Sequence, residues 1–129
     1  MKKILIEVSA GELLDKISIL EIKLNKIKDE KSLDSINKEY QILIDQKNKN
    51  IIQSKDIDTL YSELKSINEK LWIIEDEKRL CEKNSDFKEK FIQLSREVHF
   101  MNDKRAQIKS RINQALKSNI KEIKQYTKY

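Results

Sequence analysis

Two stretches decide the fold: IDTLYSELKSINEKLWIIEDEKRLCEK over residues 57–83 and FKEKFIQLSREVHFMNDKRAQIKSRINQA over residues 87–115. In the first, Ile57, Leu60, Leu64, Ile67, Leu71, Ile74, Lys78 and Cys81 follow one another at steps of three and four. In the second, Phe87, Phe91, Leu94, Val98, Met101, Arg105, Ile108, Ile112 and Ala115 do the same. That is the period of α-helices packed side by side. Each seam is broken once by a cation, Lys78 in the first and Arg105 in the second. Asn84-Ser85-Asp86 separates the two runs. A turn that short predicts antiparallel neighbours, a hairpin of residues 57–83 and 86–117. Counting outward from the turn sets Lys78 against Phe91, Ile74 against Leu94, Leu71 against Val98 and Leu64 against Arg105.

Working towards the N-terminus, Asp56 is a good cap for the third helix. The Asn/Lys-rich stretch 46–55 reads as a loop. Before it, Ile36, Tyr40, Leu43 and Ile44 predict a second helix over 33–46, capped by Ser32 or Asp34. Ser9-Ala10-Gly11-Glu12 reads as a capping box opening a first helix over 10–29. Leu13, Ile17, Leu20, Leu24 and Ile27 form that helix's main stripe, and Leu14, Ile19 and Ile22 widen it past half the circumference. So broad an apolar surface predicts a central helix touching two or more neighbours. Residues 3–8 are β-prone, and the tail over 120–127 alternates weakly through Ile120, Ile123 and Tyr126. The simplest expectation is that the two segments pair as strands, within a chain or across a dimer. Asn119 is the expected left-handed residue ending the fourth helix.

Composition agrees with an all-α, elongated four-helix, partly coiled-coil bundle in one domain. The 129 residues include no proline and one glycine; 38% are hydrophobic and 38% charged, so the core must be a narrow stripe. The net charge of +5 is spread over interleaved acids and bases, which describes solvated helix faces better than a nucleic-acid footprint. Lysines number 23 and arginines four, and Arg79, Arg96, Arg105 and Arg111 all fall in the last two helices. Against a lysine background, an arginine marks a place where a planar, bidentate donor is useful. Cys81 sits on the apolar seam and reads as a buried small hydrophobe. One cysteine and one histidine build no usual zinc site, so neither metal nor cofactor is expected. No apolar stretch is long enough to span a membrane, and acidic Glu7 and Glu12 argue against a signal peptide, which points to the cytoplasm.

The chemistry-bearing residues gather on the hairpin. The third helix offers Glu75, Asp76 and Arg79 beside Trp72; the fourth offers Arg96, His99, Asn102, Asp103 and Arg105. Glu75 and Arg79 stand one turn apart, as do His99 and Asp103, and the antiparallel register brings Arg96 near Glu75 or Asp76. Such a set reads first as interhelical salt bridges that fix register, second as a polar pocket with arginine forks for a carboxylate or phosphate, and last as acid–base chemistry by His99, Asp103 or Glu75. Gly11 permits close approach by another helix or leaves helix N–H groups open to an anion, with Lys16 and Lys23 adding positive charge nearby.

Three strings carry a resemblance: residues 9–16, SAGELLDK, running on to ILEIKL; residues 71–77, LWIIEDE; and residues 91–96, FIQLSR, running on to NDKRAQIK at 102–109. Together they resemble an uncharacterised bacterial family of short helical proteins, a domain of unknown function, over nearly the whole chain. That resemblance implies no established activity. A second likeness, of fold alone, is to the helical chorismate mutases, but the first helix lacks the arginines which that comparison implies. The leading expectation is therefore a helical interaction module, a homodimer or a partner of another protein. The alternative is a protein or enzyme handling a small anionic ligand at the arginines. Nucleic-acid binding comes third.

Overall fold

A computed structural model describes residues 1–129. It contains four helices and no strand: α1 (Ala10–Lys26), α2 (Glu30–Asn50), α3 (Lys55–Lys83) and α4 (Glu89–Ala115). At about 1.5 Å per residue, α3 with 29 residues and α4 with 27 are each about 40 Å long.

The helix ends follow from their capping residues. Ser9 caps α1 as its sequence predicts, its Oγ accepting the Glu12 N–H at 3.1 Å. The reciprocal half of the capping box is absent because the Glu12 carboxylate turns to Lys109 instead. Asp29 caps α2, three to five residues before the expected caps. Ser54, not Asp56, caps α3 by accepting from the Ile57 N–H. The stretch 46–55 thus shrinks to four residues between helices, and α2 runs on through Asn50. Nothing in α2 is buried, so its last turns carry no apolar stripe by which sequence alone reveals a helix. Both α3 and α4 end on a left-handed residue, Ser85 and Lys117, each with φ 51°. At both ends the next N–H reaches back five residues, Asp86 to the Cys81 carbonyl and Ser118 to the Asn113 carbonyl, which closes the last turn. Asn119 does not take that role; its amide donates to Glu7 instead.

α1 touches all three other helices. Leu14 and Ile17 on α1 meet Ile57, Leu64, Ile67 and Leu71 of α3 and Ile108 and Ile112 of α4 in the main core. Tyr40, Leu43 and Ile44 bring α2 against the same cluster. A second, smaller core lies towards the α3–α4 turn: Ile74, Cys81 and Leu94, flanked by Phe91, Val98 and Met101. Cys81 is a buried free thiol there. Lys78, the first seam-breaking cation, lays its ammonium 5.8 Å from the centre of the Phe91 ring, so its stem packs while its charge meets the π face.

Within the chain the terminal segments do not pair as strands. No backbone hydrogen bond joins them, and Ile4, Leu5, Ile6, Ile123 and Tyr126 remain exposed. Their link runs through side chains, chiefly Asn119 Nδ2 to Glu7 Oε2 at 2.6 Å. Two extended segments without further strands bury too little to hold a ladder.

Candidate functional site

The second seam-breaking cation organises the interior. Arg105 sits on α4 where the seam meets α1, and its guanidinium grips the buried Asp15 carboxylate as a fork: Nε to Oδ1 at 2.9 Å and Nη2 to Oδ2 at 2.5 Å. Asp15 is 1% exposed. Its remaining acceptor capacity is filled by Asn68 of α3, whose amide donates to Asp15 Oδ1 at 2.9 Å and to Ser18 Oγ at 2.8 Å. Lys109, one turn along α4 from Arg105, reaches Glu12 at 2.8 Å, Glu122 at 3.0 Å and Asp15 at 3.9 Å. At the base of the ladder the Gly11 N–H donates to Asn113 Oδ1 at 2.7 Å. No buried side-chain nitrogen or oxygen lacks a partner.

The spacing explains the assembly. On α1, Gly11, Asp15 and Ser18 follow at steps of four and three, and on α4 Arg105, Lys109 and Asn113 follow at four, so each set lines one face. A methyl group at Gly11 would lie 2.6 Å from the Lys109 carbonyl oxygen and 2.9 Å from Asn113 Oδ1, so glycine is what lets the helices approach. Its N–H is thereby occupied and offers nothing to an external anion.

Charge states follow from these contacts. Burial pushes the Asp15 carboxyl up, but the Arg105 fork and the Asn68 amide push harder the other way and hold it below its ordinary value. The hydrogen bonds to Asp15 raise Arg105 against its partial burial. Burial disfavours the Lys109 ammonium, but Glu12 and Glu122 more than offset this and raise it. Lys109 in turn lowers Glu122. Asp15, Arg105, Lys109 and Glu122 are therefore each held in the charged form at neutral pH.

The expected cluster divides in two. Trp72, Glu75, Asp76, Arg79 and Arg105 line one cleft of about 310 Å³, together with Asn68, Leu71, Ile19 and Ile22. Asn102 lies behind it, accepting from Arg105 Nη1 at 3.4 Å. Arg96, His99 and Asp103 lie elsewhere. Arg96 faces the Phe100 ring at 5.8 Å instead of Glu75 or Asp76. His99 stacks against Phe100 and Tyr129, with centroids 4.5 and 5.2 Å away. Asp103 accepts from the Tyr129 hydroxyl rather than orienting His99. Glu75 and Arg79 form no ion pair although one turn apart. Lys16 pairs weakly with Glu12 at 3.8 Å on the surface, and Lys23 is half-buried away from the cleft.

The residues sequence reasoning missed are Asp15, Ser18, Asn68, Lys109 and Asn113. The available signal was a polar stripe on the broadly apolar α1, matched on α4 by the polar residues Arg105, Lys109 and Asn113 at four-residue spacing. No group of histidine, cysteine or carboxylate side chains is arranged to hold a metal ion, and no helix is long and apolar enough to cross a membrane.

The model of a family of unknown function, DUF6165, matches residues 3–129, and the chain belongs to that family. No curated protein and no solved structure matches it.

Proposed function

From that membership and the geometry above, we propose that the chain is a cytoplasmic helical interaction module that associates with a second copy of itself. In this reading α3 and α4 form an antiparallel, partly coiled-coil hairpin whose outer surface is the interface.

The observation that carries the reading is the amount of surface left open. The chain exposes 9947 Å², whereas a compact monomer of 15.4 kDa exposes about 7,200 Å². Elongation and the terminal segments contribute part of the excess of about 2,700 Å², but it exceeds the roughly 800 Å² per partner that a standard interface covers. Outside the terminal segments, four exposed apolar side chains fall on the part of α3 and α4 next to the smaller core. Ile73, Leu80, Phe87 and Ile92 are each 51–56% exposed around a local core of only Ile74, Cys81 and Leu94. Ile73 and Leu80 are two helical turns apart and share a face. Ile73 and Leu80 on one face of α3, with Phe87 in the turn and Ile92 at the start of α4, are apolar exposure of the kind that marks association. The Asp15 network supplies the rigid base from which this pair projects.

Light scattering across a concentration series tests the proposal. The mass is expected to rise from 15.4 kDa towards twice that value as concentration increases. A mass fixed at the monomer value into the high micromolar range rejects it.

A further inference from the structure

The cleft between α1 and the middle of α3 has a chemistry of its own. Its walls are Ile19, Ile22, Leu71 and Trp72, and Trp72 is the chain's single tryptophan. At its back the polar groups are already engaged: Arg105 is neutralised by Asp15 and tied to Asn102, and Asn68 donates to Asp15 and Ser18. At its mouth Glu75, Asp76 and Arg79 are exposed and take part in no ion pair or side-chain hydrogen bond. Two free carboxylates against one free guanidinium leave a net charge of −1 among these three residues.

We propose that this cleft binds a small organic cation, an ammonium or guanidinium group on an apolar stem. The head lies between the Glu75 and Asp76 carboxylates, and the stem lies on Ile19, Ile22, Leu71 and the Trp72 ring. The volume, about 310 Å³, falls at the small end of ligand sites. An indole ring attracts cations and not anions, and Trp72 is part of the wall. An anionic ligand would rely on Arg79 alone, since Arg105 is consumed by Asp15 and Arg96 lies outside the cleft, and it would face repulsion from two neighbouring carboxylates. The site therefore selects for the charge opposite to that suggested by counting arginines in the sequence. The inference does not depend on self-association.

Trp72 makes the test direct, because all indole emission comes from the cleft wall. The full chain is titrated at constant ionic strength with agmatine and cadaverine, and in parallel with succinate and inorganic phosphate. The expected result is a saturable emission change with the two cations and none with the anions. In the Glu75→Gln/Asp76→Asn variant, cation affinity is expected to fall about tenfold, since both charge-assisted contacts are lost. Its melting temperature should stay at the wild-type value, because both side chains are exposed. The proposal is overturned if the cations give no saturable response, if the anions match them, or if the double variant binds as tightly as wild type.

Discussion

Replacing Asp15 with alanine removes the acceptor at the centre of the buried network, and its cost can be worked from the contacts. Arg105 loses both arms of its fork, the Asn68 amide keeps only Ser18, and Lys109 loses its more distant partner. Breaking a buried ion pair from one side typically costs about 3–5 kcal/mol, because the surviving charge stays buried without compensation. Arg105 retains 28% side-chain exposure and recovers some hydration, which places Asp15→Ala near the lower end, about 3 kcal/mol. Asp15→Asn keeps the volume and part of the hydrogen bonding but loses the charge, and should cost about 1.5–3 kcal/mol. A double replacement, Asp15→Leu with Arg105→Met, removes both charges and substitutes apolar groups of comparable size. It should be far less harmful than the sum of the single changes. Urea unfolding followed by far-ultraviolet circular dichroism supplies all the free energies needed for this double-mutant cycle. If Asp15→Ala costs under about 1 kcal/mol, or if the single changes simply add, the network is not a coupled clamp and the reasoning fails.

The remaining predictions concern the same scaffold. Gly11→Ala should destabilise by about 1–3 kcal/mol even though alanine is the better helix former by about 1 kcal/mol, because its methyl would collide with the Lys109 carbonyl; thermal melting decides the sign. Asp15 and Glu122 have lowered folded values, so their contribution is present above the unfolded carboxylate range of about 3.9–4.3 and lost as pH falls through the folded values. Lys109 is raised, so its contribution is complete below about 10.4 and lost as pH rises through its folded value. Urea midpoints should therefore be flat between about pH 5 and 9 and fall on both sides, with Asp15→Asn reducing the acid limb. A constant midpoint below pH 4 would contradict this assignment.

The sequence made the helices legible wherever they bury an apolar stripe. The seams lie where the three-four spacing predicts from Ile57 to Cys81 and from Phe91 to Ile112, whereas Phe87 falls before α4 and both it and Ala115 are exposed; α1 is central because its apolar surface is broad enough for three neighbours. The far end of α2 was illegible because it contributes no buried residue, leaving no pattern to read. Pairing of the termini within the chain does not occur because alternation of Ile4, Ile6 and Val8 records β propensity, whereas strand formation also requires a partner and a buried face. The candidate site was half legible. Arg105 announced itself by breaking an apolar seam, but its counter-ion lies 90 positions away on a helix whose apolar residues dominate any reading. Arg96 was misplaced for a simpler reason: a guanidinium beside an aromatic ring on its own helix has a near partner in Phe100 and need not cross to α3.

The interaction reading is tested most directly by one mass comparison. Ile73→Glu/Leu80→Glu places two charges on the exposed face of α3 while sparing Ile74, Leu71 and the Asp15 network. If that face joins two copies, light scattering should show wild type approaching twice 15.4 kDa and the variant remaining at the monomer mass, with unchanged helical content. A variant that associates as wild type does, or a wild type that stays monomeric beside it, contradicts the account.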